Sequence, residues 1–419
     1  MDRAILRNAA SLLLVQAANF LLPLVTFPYL TRVLGPQGFG TMAFCTAVTT
    51  YLVLFTDYGF NLSATKRVAE LRSDKVAMSQ FACSVLAAKA LLCSVSAVVL
   101  CVVAFLVPRF WAFHWILLAT FPMVVGSVLF PQWLFQGLER MGFVSVCFIG
   151  ARACLVPFTF LFVHAQGDIW KAALISSSTT VLAGLVSLGL AQRYRLIDLH
   201  LPDRSSIVLA YRDGWHVFIS TAAVSLYSNT NSVLLGLIAG NTQVGYFAAA
   251  DRLRMACSGV VSVMSNAVYP RINAILAKDR QAAFALIRKL LLVQGGATLF
   301  VSLTLIVAAP LIVRTVMGPG FSAAVDVVRC IAFVPFLVGL SNVFGVQTML
   351  SLGMKRQFSR ILLISGALNV MVLVPLAHLL GAVGAATALL ATEAFVTLIM
   401  AFTLYKRRIP IFNIAKAFA

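Results

Sequence analysis

Three ionisable residues lie inside the apolar stretch GYFAAADRLRMACSG, which runs from Gly245 to Gly259. In a helix, Asp251 and Arg254 lie at i and i+3 on one face, so the carboxylate can pair with that guanidinium. We expect the charge of Arg252 to act on an anionic ligand, because a guanidinium matches phosphate oxygens well. The alternative is a structural ion pair beside arginines that reach toward the membrane surface.

Six further polar side chains interrupt apolar stretches elsewhere in the chain. They are Lys89, Arg152, Gln16, Asn19, Asn229 and Asn231. Amide and charged groups in hydrocarbon normally face other helices or a cavity rather than lipid. The set therefore either forms interhelical hydrogen bonds or lines a polar cavity that contacts sugar hydroxyls. Because cations outnumber acids inside the apolar stretches, we expect an anionic passenger.

Two carboxylates suggest ion coupling as a possible chemistry. Glu393 lies deep in the last apolar stretch, where it either binds a coupling ion or proton or bonds to a neighbouring helix. Asp57 lies in FTDYGFNLSATKR, and we expect it to pair with Lys66 or Arg67, with ion coupling as the alternative.

The composition indicates the kind of scaffold that holds these residues. The 419 residues are 61% hydrophobic and only 11% charged, whereas a soluble domain has about 25% charged residues. Apolar runs long enough to span a bilayer recur along the whole chain. We therefore predict an all-α integral membrane protein rather than a soluble protein or a β-barrel.

The apolar runs predict twelve transmembrane helices. They lie near residues 9–31, 38–60, 81–106, 113–135, 143–165, 169–191, 215–238, 244–268, 289–313, 327–350, 358–380 and 383–405. Of the 32 Lys and Arg residues, 23 fall in loops on one side, 5 on the other side and 4 inside spans. The positive-inside rule then places both termini in the cytoplasm and accounts for most of the net charge of +19.

The two halves of the chain share short motifs at equivalent places. LGPQGFGTMA and AGNTQVGYFA align Gly35 with Gly240, while QGLERMGF and LGMKRQF align Gly137 with Gly353 and Arg140 with Arg356. These matches predict two six-helix bundles, residues 1–200 and 201–419. We expect pseudo-two-fold symmetry about the membrane normal, with the substrate in a central cavity and transport by rocking of the halves.

Sequence motifs of enzymes are missing. The chain has no nucleotide-binding loop and no zinc-protease or serine-hydrolase motif. Its eight cysteines form no CxxC pair, so we expect neither a metal site nor a cofactor. No predicted outward loop is large enough to house glycosyl-transfer chemistry. We therefore expect a protein that is not an enzyme.

Several segments together resemble the Wzx-type O-antigen flippases of bacteria. They are RNAASLLLVQAANFLLPLVTFPYLTRVLGPQGFG near the start, DYGFNLSATKRVAELRSDK, PQWLFQGLERM, VGYFAAADRLR and NAVYPRI. The superfamily of these flippases also contains multidrug exporters and lipid II flippases. The resemblance covers most of the chain and implies two six-helix bundles around a central cavity.

The resemblance also implies a function. It implies transport of undecaprenyl-diphosphate-linked O-antigen repeat units between the leaflets of the bacterial inner membrane, from the cytoplasmic to the periplasmic side. A polysaccharide polymerase and a chain-length regulator would be partners. Our hypothesis is that Arg252, helped by Arg152, Lys89 and Arg254, draws the diphosphate into the cavity. A multidrug antiporter of the same fold and a membrane polysaccharide polymerase remain as alternatives.

Overall fold

The computed structural model describes the backbone of residues 3–198, 200 and 202–411. It describes the side chains of residues 25–198, 200, 202–219, 221–222, 229–259, 261, 265 and 268–411. This part of the chain consists of helices joined by turns and contains no β-strand. The helices form two compact units, unit 1 (Met1–Asn229) and unit 2 (Thr230–Ala419).

Unit 1 contains eight α-helices and the first part of a ninth among its described residues. They are α1 (Arg3–Asp57), α2 (Phe60–Glu70), α3 (Lys75–Leu106), α4 (His114–Thr120), α5 (Pro122–Leu129), α6 (Gln132–Gly137), α7 (Met141–Phe162), α8 (Ile169–Arg193) and α9 (Arg204–Ala239). Short 3₁₀ helices at Pro108–Phe113 and Gln166–Asp168 precede α4 and α8. Prolines that cannot donate a helical hydrogen bond separate α4, α5 and α6.

Helix α1 folds back on itself at Gly35. That residue has φ 66° and ψ 178°, a conformation that glycine adopts without a steric penalty. The rings of Phe27 and Phe39 lie 5.7 Å apart on either side of it. In a straight helix, twelve residues would separate them by about 18 Å. The helix therefore has two antiparallel arms.

Three loops of unit 1 lie together at one end of its helices. Arg72 binds both carboxylate oxygens of Glu139, at 3.1 and 3.2 Å. The Lys75 ammonium lies 2.8 Å from an Asp198 oxygen. These pairs join the loops after α2, α6 and α8. The loops after α2, α6 and α8 therefore lie side by side.

Unit 2 contains the end of α9 and five further α-helices among its described residues. They are α10 (Asn241–Leu276), α11 (Arg280–Ile312), α12 (Ala324–Ile331), α13 (Val334–Asn342) and α14 (Lys355–Lys406). Two π-helical segments, Val313–Met317 and Val343–Leu350, extend α11 and α13.

Helix α14 also folds back, at Gly381, which has φ 58° and ψ −127°. The Asn369 amide donates a hydrogen bond of 3.1 Å to the Thr392 hydroxyl. These residues are 23 positions apart and would be separated by about 35 Å in a straight helix. The two arms of α14 are therefore packed side by side.

Eight stretches of the described residues are long and apolar enough to cross a membrane. They are Val25–Glu70, Lys75–Leu106, Pro108–Gly137, Met141–Phe162, Gln166–Arg193, Arg280–Met317, Ala324–Leu350 and Lys355–Lys406. The chain is therefore a multi-pass helical membrane protein, which confirms the predicted class.

Two turns recur in both units, one of them in a register that differs from the sequence alignment. Gly35 and Gly240 share an unusual conformation, with φ 66°, ψ 178° and φ 87°, ψ 170°. In the second turn, the residues with positive φ are Glu139 (56°) and Gly353 (76°). The alignment of Gly137 with Gly353 is thus wrong by two residues, because backbone conformation and not glycine identity defines the turn. The two-fold relation of whole bundles, divided at residue 200, stays a prediction.

Candidate functional site

The charged cluster of unit 2 lies on α10. The Arg254 Nε atom donates to an Asp251 carboxylate oxygen at 2.5 Å, and the two side chains are 16% and 18% exposed. The pairing expected from the i, i+3 spacing is confirmed. Arg252 is half-buried and follows Asp251 by one residue, so it projects about 100° around the helix from it.

The energetic cost of this cluster indicates what surrounds it. An Arg or Asp side chain at the centre of a bilayer costs roughly 2.5–3.5 kcal/mol on insertion scales. Pairing lowers that cost for Asp251 and Arg254 by satisfying both charges in one contact. With three charges within four residues, α10 is a poor lipid-facing helix. The part of α10 that carries Asp251, Arg252 and Arg254 is suited to a polar or hydrated environment.

The charged cluster of unit 1 is a buried ion pair that sequence reasoning did not find. The Lys89 ammonium is 1% exposed and lies 2.6 Å from an Asp57 carboxylate oxygen. It also donates to the Ser127 carbonyl at 2.6 Å. The second Asp57 oxygen accepts a hydrogen bond of 3.2 Å from the Asn61 amide. The positive charge of Lys89 is therefore compensated inside unit 1.

The expected pairing of Asp57 with Lys66 or Arg67 is wrong. Those two cations instead contact Glu70, at 3.9 and 3.1 Å. The reason is that the break at Tyr58 and Gly59 separates Asp57, at the end of α1, from α2, where Lys66 and Arg67 lie one turn before Glu70.

The positions of Asp57 and Lys89 relative to the turn between α2 and α3 explain why these two residues pair. Asp57 lies 13 residues before Glu70, and Lys89 lies 14 residues after Lys75. Because the helices on either side of a tight turn run antiparallel, these positions are at the same depth. Equal distance from the turn is the signal that could have found the pair.

The remaining predicted site residues are distributed over several helices. The Arg152 guanidinium, on α7, lies 5.2 Å from the centre of the Phe148 ring, a cation–π contact. On α9, Asn229 is half-buried and Asn231 is 4% exposed. The side chains of Gln16 and Asn19 lie outside the described residues.

The acids predicted for ion coupling lie in different units. Glu393 is half-buried on the second arm of α14, and its backbone carbonyl accepts from the Thr397 hydroxyl at 2.8 Å. Asp57 lies in unit 1. Among the described residues, no three His, Cys, Asp or Glu side chains are placed to hold a metal ion.

A cavity of about 290 Å³ lies inside unit 2, next to α10. It is lined by Ala256, Cys257, Val261, Gln294, Ala297, Thr298, Val301 and Pro335. Gln294 is fully buried; its amide donates to the Gly339 carbonyl at 2.8 Å, while its Oε1 atom has no hydrogen-bond partner among the described residues. The lining is apolar apart from Gln294 and Thr298, so this cavity is not suited to an anion.

Comparison with known sequences decides the family. Residues 5–276 match the family described as "Polysaccharide biosynthesis protein". The chain belongs to this family. It is 39% identical over 397 residues to a protein of Escherichia coli (strain K12) named "Putative O-antigen transporter", covering 94% of this chain and 95% of the relative. A Shigella dysenteriae protein of the same name is 27% identical over 394 residues, covering 94% and 98%.

Comparison with solved structures shows the fold of membrane transporters. The lipid II flippase MurJ in an inward closed conformation has a TM-score of 0.73 at 12% identity, covering 96% of this chain and 88% of MurJ. An inward-facing multidrug transporter of the MATE family has a TM-score of 0.64 at 14% identity, covering 98% and 100%. The chain therefore has the fold of these membrane transporters.

Proposed function

We propose that the chain is a flippase that moves undecaprenyl-diphosphate-linked O-antigen repeat units from the cytoplasmic to the periplasmic leaflet of the inner membrane. The observation that carries this proposal is the 39% identity to the Escherichia coli O-antigen transporter across 94% of the chain. The fold shared with a lipid II flippase supports it, because lipid II is also a lipid-linked saccharide.

The proposed architecture has twelve crossings and both termini in the cytoplasm. The folding of α1 at Gly35 and of α14 at Gly381 supports this count, because each helix then provides two crossings. Helices α9 and α10, each of 36 residues, are long enough to add one crossing each. The two six-helix bundles would alternate access to a central cavity.

The proposed substrate contact is the diphosphate of the lipid carrier. Arg252 is its principal ligand, because its guanidinium matches phosphate oxygens and projects about 100° around α10 from Asp251. Arg152 is a second candidate. Lys89 is a weaker one in this conformation, because Asp57 compensates its charge. The amides of Gln16, Asn19, Asn229 and Asn231 would contact sugar hydroxyls. A polymerase and a chain-length regulator would receive the product.

The test is deletion of the gene in its native host, followed by complementation. The deletion strain should lose surface polysaccharide and accumulate lipid-linked repeat units, and the wild-type gene should restore both. If single repeat units still reach the surface without being polymerised, the chain is a polymerase. If the polysaccharide is unchanged and drug susceptibility rises, the chain is a multidrug antiporter. Either result would overturn the proposal.

A further inference from the structure

Helix α9 belongs to both units. It runs without a break from Arg204 to Ala239, while the boundary between the units follows Asn229. The first part of α9 packs in unit 1 against the break that separates α1 from α2. That break consists of Tyr58 and Gly59, with φ values of 43° and 75°.

Two glycines let the backbones at this break come unusually close. A Cβ atom on Gly59 would lie 2.7 Å from the Phe218 backbone nitrogen, and one on Gly214 would lie 2.9 Å from the Tyr58 carbonyl oxygen. Both distances are shorter than real Cβ contacts. The main chain of α9 therefore packs directly against the main chain of the break.

Aromatic rings pack around this contact between α9 and the break. The Tyr58 ring stacks on Phe218, with centroids 4.8 Å apart and planes 10° from parallel. It also meets Tyr211 edge-on at 5.2 Å. The Tyr211 hydroxyl donates to the Ala88 carbonyl at 2.7 Å, so α9 is bonded to α3 as well.

The buried ion pair of Asp57 and Lys89 lies next to the same contact. Asp57 immediately precedes Tyr58, and Lys89 immediately follows Ala88. The 2.6 Å contact between the Asp57 carboxylate and the Lys89 ammonium thus ties the end of α1 to the part of α3 that receives the Tyr211 hydroxyl. Three helices meet in one joint with close backbones, stacked rings and a buried charge pair.

We propose that this joint fixes the first part of α9, Arg204 to Phe218, to unit 1 as one rigid body throughout the transport cycle. The moving boundary between the halves then lies within α9 beyond Phe218, and not at residue 200. This inference goes beyond the proposed function, because it concerns which segments move together and not what is carried.

The direct test is a reducible cross-link across the joint. Tyr58→Cys and Phe218→Cys are introduced after replacing the eight native cysteines with serine. The full chain is placed in proteoliposomes and joined with a short bis-methanethiosulfonate. The probe is lipid-linked oligosaccharide extracted from the deletion strain. We expect cross-linked protein to transport it within about twofold of the same protein after reduction. A cross-link that stops transport, with recovery on reduction, would overturn the inference.

A second measurement does not depend on transport. Gly59→Ala and Gly214→Ala should each speed amide hydrogen exchange across residues 204–218 by about tenfold, because the added methyl group separates the backbones. Gly189→Ala is the matched control for Gly214→Ala, and Gly353→Ala, with φ +76°, is the matched control for Gly59→Ala, since nothing lies within 4 Å of a Cβ atom at either control position. Exchange across residues 204–218 that is equal in the two joint variants and their controls would refute the joint. A wild-type protein that carries no oligosaccharide would count against the proposed function alone.

Discussion

Replacing Asp57 with Asn tests the buried ion pair, the least expected feature of unit 1. The Lys89 ammonium is 1% exposed and bonds to the Asp57 carboxylate and the Ser127 carbonyl, both at 2.6 Å. Removing one partner of a buried pair costs about 3–5 kcal/mol, because the other charge stays buried. Since the Asp57 side chain is 25% exposed, we expect the lower end for Asp57→Asn, about 3 kcal/mol.

A double variant measures the interaction between Asp57 and Lys89 separately from the effect of each single substitution. Combining Asp57→Asn with Lys89→Met leaves no buried charge, so it should be about 2 kcal/mol more stable than Asp57→Asn alone. The assay is unfolding in mixed micelles with increasing SDS, followed by tryptophan fluorescence. The control is the exposed pair of Arg72 and Glu139, where Arg72→Gln should cost less than about 1 kcal/mol. If the two substitutions at the buried pair are simply additive, the reasoning is refuted.

Three further predictions concern the α10 site and a surface loop. Arg252→Ala should lower O-antigen display about tenfold or more at normal membrane levels, with Arg252→Lys retaining part of it; full display in the alanine variant would remove Arg252 from the site. Asp251→Asn should lower the thermal stability of the purified protein more than Asp326→Asn does, because the Asp326 side chain is 72% exposed in its pair with Arg329; equal losses would contradict a burial effect. The Lys75 ammonium lowers the pKa of the Asp198 carboxyl, so docking of that loop is stabilised above the ordinary aspartate pKa and lost as the pH falls below it; intrinsic-rate-corrected hydrogen exchange at the Asp198 amide, which donates to the Ser79 hydroxyl at 3.1 Å, should rise only there, and Lys75→Met should remove most of this pH dependence, whereas an unchanged rise in Lys75→Met would contradict the linkage.

The fold class and one ion pair could be predicted from the sequence because both follow from local rules. Apolar runs of sufficient length indicate membrane helices whatever their partners are. The pair of Asp251 and Arg254 follows from helix geometry alone, since residues at i and i+3 share a face. The glycine turn shared by Gly35 and Gly240 was also visible, because positive φ favours glycine.

Features that depend on packing between helices were not predictable in the same way. The partner of Asp57 depends on how the end of α1 packs against α3, and on the break at Tyr58 and Gly59 that separates Asp57 from the charged helix α2. Glu139 adopts a positive φ without being a glycine, so an alignment based on glycine identity gives the wrong register for its turn relative to the turn at Gly353. The buried Gln294 and the apolar cavity beside it need three helices to be placed together before they exist.

The central claim is that this chain moves lipid-linked repeat units across the membrane. The most direct measurement is the sidedness of those units in spheroplasts of the deletion strain, using periodate under conditions where it does not cross the membrane. The account predicts that the accumulated repeat units are protected from oxidation, and that restoring the wild-type gene exposes them on the outer leaflet. Repeat units that are already oxidised in the deletion strain would contradict it.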